Sequence, residues 1–179
     1  RVTNWQLKRY HTTQGVPVDL VAVNDPGAGV GALETWLDGV KPPTMYQADR
    51  THLVLSGDKQ TGSVTFTQVT PSGLHIEKRL TFQADSYRVG VELTTRNLTE
   101  RPIELRPQIA WGPGFRNSLD KKDSTVRPPT LWLDGKRVQE DVAKLTGERT
   151  IQGNLGWAAL EDTYFAAALV PDTKGQQAF

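Results

Sequence analysis

Among the side chains that could do chemistry, His75 and Glu77 stand out, because two residues apart on an extended chain they share a face, and Glu92 falls on the polar side of the strand that follows. A histidine beside a carboxylate is the pairing that general acid–base catalysis uses. Polar residues alternating with apolar ones are equally the default of a solvated sheet face, so no catalytic role is assigned. His11, His52 and His75 lie far apart, without the H-E-x-x-H spacing of a zinc site, and neither metal nor cofactor is expected.

Two further patterns resemble sites without supplying their elements. Gly27, Gly29 and Ala32 satisfy G-x-G-x-x-[GA], with Asp49 near the distance of a ribose ligand. That fingerprint needs a helix whose N-terminus meets the pyrophosphate, but Leu33 to Leu37 runs into Asp38, Gly39, Pro42 and Pro43, leaving no room for one. The stretch reads as an inter-strand loop. Asp120 and Asp123, around Lys121 and Lys122, read as a solvated loop, and the sequon at Asn97, Leu98 and Thr99 as a strand connection. The segment 111–116, WGPGFR, differs in kind: Trp111, Phe115 and Arg116 are the residue types of binding patches and form the candidate contact surface. The competing reading has Trp111 and Phe115 capping the core at the end of a sheet.

The elements that must position these residues are strands. Leu74, Ile76, Lys78, Leu80 and Phe82 share one face, His75, Glu77, Arg79 and Thr81 the other. After Gln83 to Ser86 the alternation resumes with Tyr87, Val89, Val91 and Leu93 against Arg88, Glu92, Thr94 and Arg96. This predicts an antiparallel hairpin with one wet face, across which Arg79 meets Glu92. Val64 and Phe66 before it, and Ile103, Leu105 and Ile109 after it, extend the hairpin to a four-strand meander. Further strands are expected at 2–10, 18–23, 33–37, 51–56, 130–133 and 149–152, with Asp134-Gly135 as a two-residue hairpin turn. Only Val138, Val142 and Leu145 have helical spacing. Near the C-terminus, Trp157 to Leu160 and Tyr164 to Val170 read as strands joined through Glu161, Asp162 and Thr163. Many antiparallel strands with 16 glycines and 11 prolines imply an all-β domain of two packed sheets or a barrel.

Bulk properties narrow the function classes. At 179 residues, 1–179 is expected to be a single domain with its own core. With no cysteine there is no disulfide or thiolate metal site. Lys and Arg total 21 against 20 for Asp and Glu, interspersed, which argues against nucleic acid as a partner. No window holds an uninterrupted apolar run long enough to span a bilayer. The chain opens mid-pattern at Arg1, without initiator methionine or leader, as a segment of a longer protein would.

Two motifs carry a family resemblance. Gly156, Trp157, Ala159, Tyr164, Phe165, Ala167, Ala168 and Pro171 resemble the end of the periplasmic domain of YidC, the bacterial membrane-protein insertase. Trp5, Leu7, Lys8 and Tyr10, followed by Pro17, Val18, Asp19, Leu20 and Val21, resemble its early strands, in the same order. Thr163 departs from the lysine or glutamine common before the Tyr-Phe pair. The resemblance implies an antiparallel β-supersandwich of the galactose-mutarotase type, lacking strands at both ends. It further implies a non-catalytic module beside the Sec translocon at the periplasmic face of the inner membrane. SecD and SecF are then the expected partners, and nascent membrane proteins are met by the membrane module outside this chain. The shared architecture leaves a carbohydrate-binding or mutarotase-like protein, with His75 and Glu77 on the sheet face, as the alternative.

Overall fold

A computed structural model describes residues 1–21, 31–38, 45–111, 127–141, 144, 146–147 and 149–172. The described residues form twelve strands and no α-helix, and the chain divides into two compact units: Arg1–Glu34 with Ile109–Phe179, and Thr35–Gln108.

The Thr35–Gln108 unit is built on a four-stranded antiparallel sheet of β4 (Gln47–Ala48), β5 (Thr61–Val69), β6 (Leu74–Gln83) and β7 (Val89–Asn97), in that order. Leu74, Ile76, Lys78 and Leu80 are buried along β6, as the alternation predicts, Lys78 with the apolar set. Leu37, Leu74 and Ile76 form its core cluster, with Tyr46, Leu93 and Leu105 packed on it. Each such buried side chain contributes about 1.5–3 kcal/mol, against 1 or less for an exposed charge pair, so burial fixes the register. Arg79 and Glu92 stand opposite in that register, yet they form no ion pair; Arg79 Nε donates to Ser63 Oγ on β5 instead, at 3.4 Å.

The predicted meander needs one correction. Its fourth strand, β8 (Arg106–Trp111), leaves the sheet and pairs with β3 (Ala32–Asp38). The reason is local. Asn97 Oδ1 accepts from the Thr99 N–H at 2.9 Å and its Nδ2 donates to the Arg101 carbonyl at 2.7 Å, which turns the chain, and Pro102 and Pro107 bring no N–H to a ladder. Residues 51–56 form no strand beyond an isolated bridge from Ser56 to Lys59. Their Leu53 and Leu55 side chains lie over Gly62, where a Cβ would come within 2.9 Å of Leu53 Cδ1, so the segment covers the sheet.

In the other unit, β1 (Gln6–His11) pairs with β2 (Pro17–Asp19). A second four-stranded antiparallel sheet runs in the order β10 (Lys136–Gln139), β9 (Thr130–Leu133), β11 (Leu155–Glu161), β12 (Ala166–Leu169). Asp134 and Gly135, with φ of 50° and 73°, make the β9–β10 turn, the mirror-image geometry whose twist suits a two-residue hairpin. Val138 therefore lies on β10 and not on a helix; Val142 and Leu145 are outside the described residues. No strand forms at 149–152, because the chain must pass Gly153 at φ 155° and bond Asn154 N–H to Asp134 Oδ1 at 2.8 Å before β11 begins. Buried in this unit are Leu7, Val18, Val21, Ala32, Leu33 and Leu133.

Candidate functional site

Of the groupings suggestive of a site, the one described throughout, His75 with Glu77 and Glu92, does not assemble. His75 stands opposite Arg96 and Val69, and Glu77 opposite Thr94 and Thr67. Glu92 lies opposite Arg79, four residues along the strand from the His75 position, or about 13 Å at the rise of a β-strand. The three do not converge. Ala32, of the glycine fingerprint, opens strand β3 and not a helix, and Asp49 is engaged locally with Arg50 and Thr65. Gly27, Gly29, Asp120 and Asp123 lie outside the described residues. Among the described residues no three His, Cys, Asp or Glu are grouped to hold a metal ion.

The candidate contact surface is described at Trp111 alone; Phe115 and Arg116 fall outside the described residues. Trp111 ends β8, is half-buried, and packs against the Trp5 ring with centroids 5.6 Å apart and planes tilted by 52°. What holds Trp5 is Asp19. One carboxylate oxygen of Asp19 accepts from the Trp5 N–H at 2.8 Å and the Val21 N–H at 3.1 Å, while the other accepts from the Asn4 amide. Trp5 in turn gives its carbonyl to the Leu20 N–H at 2.9 Å. A buried carboxylate survives because its lone pairs are taken by donors, and here those donors belong to the chain it aligns.

A second aromatic contact anchors the far end of β1. Tyr10 meets Phe165 edge to face at 5.7 Å. Phe165 belongs to the turn between β11 and β12, where Asp162 Oδ1 accepts from the N–H groups of Tyr164 and Phe165, each at 2.7 Å. Tyr164 and Phe165 therefore sit in the turn, whereas the sequence pattern places them on a strand. The two terminal sequence motifs are thus one structural unit, with Trp5, Tyr10 and Asp19 from one and Phe165 from the other.

The YidC periplasmic domain family model matches residues 1–179, the whole chain. The chain belongs to that family. Its relatives include proteins named membrane protein insertase YidC. That of Syntrophus aciditrophicus is 26% identical over 174 residues, covering 94% of this chain and 32% of the relative. That of Geotalea uraniireducens is 30% identical over 172 residues, covering 93% and 32%. That of Laribacter hongkongensis is 29% identical over 139 residues, covering 73% and 25%. The chain thus spans about a third of the length of the relatives that it matches most fully. No solved structure matches it. As a YidC periplasmic domain, the chain is a non-catalytic module of a membrane protein. No helix among the described residues is long and apolar enough to cross a membrane.

Sequence reasoning singled out Trp111 and missed the residue that holds its ring partner Trp5. Asp19 entered only as a letter of a family motif, yet its chemistry was legible: an acidic residue inside the apolar run Val18 to Val21 needs donors if it is to be buried.

Proposed function

We propose that residues 1–179 act as one docking and spacing domain of a YidC-type insertase, at the periplasmic face of the inner membrane beside the Sec translocon. The observation that carries this reading is the family match across the whole chain, in relatives of which the chain is about a third. Insertion of nascent membrane proteins then belongs to the remainder of the protein. The architecture proposed is the β-supersandwich, for which the two four-stranded antiparallel sheets are suitable material.

The contact surface we assign to this role is Trp111 with Phe115 and Arg116, and the partners are SecD and SecF. Trp111 supports the choice in two ways: it is only half-buried, and the Trp5 ring under it fixes its orientation at little entropic cost. The test places a photo-crosslinking amino acid at position 111 or 115 of the intact insertase in membranes. Adducts with SecD or SecF that are lost in Arg116→Glu are expected. Adducts to neither subunit, with normal membrane-protein insertion by Trp111→Ala, would overturn the assignment.

A further inference from the structure

The strand β7 is an edge without a neighbour among the described residues. It closes the order β4-β5-β6-β7, and among those residues no backbone group bonds to its outer side. The other exposed ends of the four-stranded sheets are short: β4 has two residues, β10 and β12 four each, whereas β7 has nine. Its nine pairings with β6 run without a register shift, and it contains no proline. Brevity, a bulge and a proline, three of the protections that edges carry, are therefore missing.

The bonding pattern sets which groups face outward. The Leu98 N–H donates to the Gly73 carbonyl at 2.8 Å, on the β6 side. Since alternate residues of an antiparallel strand turn their N–H and C=O to opposite sides, Val91, Leu93 and Thr95 direct theirs away from β6. The side chains of Glu92, Thr94 and Arg96 are exposed on one sheet face, and among the described residues neither Glu92 nor Arg96 takes part in an ion pair.

From this we infer that β7 pairs with β7 of a second copy of the chain, antiparallel and centred on Thr94. In that register Leu93 and Thr95 exchange backbone hydrogen bonds with Thr95 and Leu93 of the other copy. Thr94 faces Thr94 of the other copy, and Glu92 faces the other copy's Arg96 on both sides of the two-fold axis. Charge picks this register out. Centring on Glu92 sets that carboxylate against itself, and centring on Arg96 does the same with the guanidinium. Centring on Leu93 or Thr95 leaves both charges opposite an uncharged residue. The paired strand satisfies the open backbone groups and continues the sheet into the second copy, the isologous contact a two-fold axis requires. This inference is independent of the docking role proposed above.

The test uses the intact membrane protein carrying Thr94→Cys. Directly opposed residues of a non-hydrogen-bonded pair have Cα atoms about 4.5 Å apart, within the span of a disulfide. Mild oxidation is expected to yield a covalent dimer whose linked peptides both contain position 94. Thr81→Cys, exposed on the inner strand β6, should give none. Glu92→Arg or Arg96→Glu added to Thr94→Cys should lower the yield several-fold, and both together should restore it, because the swapped charges again oppose each other. A Thr94→Cys protein whose new thiol takes up a maleimide without forming the dimer would overturn the inference. So would a thiol at that position shielded from both reactions by a different segment, or a dimer indifferent to the charge swaps.

Discussion

The ring of Tyr10 stands edge-on to the ring of Phe165, their centroids 5.7 Å apart at 90°, joining residues from opposite ends of the chain. This contact ties β1 to the turn between β11 and β12, so the first strand is held at a point distant in sequence as well as by its hairpin partner β2. Edge-to-face pairs contribute about 0.5–1.5 kcal/mol beyond their burial.

That contact is measurable as a coupling. Tyr10→Leu and Phe165→Leu each keep apolar volume and remove one ring, so a double-mutant cycle in urea should return an interaction of about 0.5–1.5 kcal/mol. Strictly additive single effects would mean that the rings are neighbours without mutual stabilisation.

Asp19 should be costly to remove and only partly replaceable. Asp19→Ala orphans the Trp5 and Val21 N–H groups, at about 1–3 kcal/mol for each buried donor left unmade. Asp19→Asn retains one carbonyl oxygen and should lose less than half as much. Because Trp5 packs on Trp111, the alanine variant should also shift the tryptophan fluorescence toward the red as the pair loosens. An unchanged spectrum together with an unchanged urea midpoint would refute the anchoring role.

How far the sequence disclosed all this depended on how local the cause was. The alternation along β6 and β7 and the Asp134-Gly135 turn were legible because period-two burial and positive φ act within a few residues. The departure of β8 was not, since Ile103, Leu105 and Ile109 alternate like their predecessors, and only the Asn97 turn precedes the strand that carries Ile109 to β3. Leu53 and Leu55 misled for a similar reason: an apolar, polar, apolar spacing suits a segment lying over Gly62 as well as a paired strand. At the candidate site, Trp111 was legible by residue type, whereas its partner Trp5 and the anchor Asp19 arrive through tertiary pairing that no window of sequence contains.

The β9–β10 turn offers a test of backbone geometry free of packing. A Cβ at Gly135 would meet nothing within 4 Å, so any loss in Gly135→Ala comes from its φ of 73°, a region that costs an L-residue about 1–2 kcal/mol. Gly135→Asn should cost less, since asparagine tolerates that region. Gly147, equally open and without a positive φ, supplies the control: Gly147→Ala should be neutral or slightly stabilising. Equal effects at the two glycines by denaturation midpoint would contradict the assignment of the turn.

Asp49 sets an acid limit on the β4–β5 edge. Its carboxylate accepts from the Thr65 N–H at 3.0 Å and from Arg50 Nη2 at 2.9 Å, while its own N–H donates to the Thr65 carbonyl at 2.9 Å. The Thr65 backbone bond first, and Arg50 after it, hold the carboxyl below the ordinary aspartate value. A group whose folded pKa is depressed stabilises the fold above its unfolded pKa, about 3.9, and that contribution disappears as the pH falls through the folded value. Asp49→Asn should therefore lower stability at neutral pH and flatten the acid limb of the stability curve, with little difference from the parent at the lowest pH. Carbon-detected NMR of the Asp49 carboxyl should place its midpoint below that of an unstructured aspartate. A midpoint at or above it would show that the Thr65 bond is not maintained in solution.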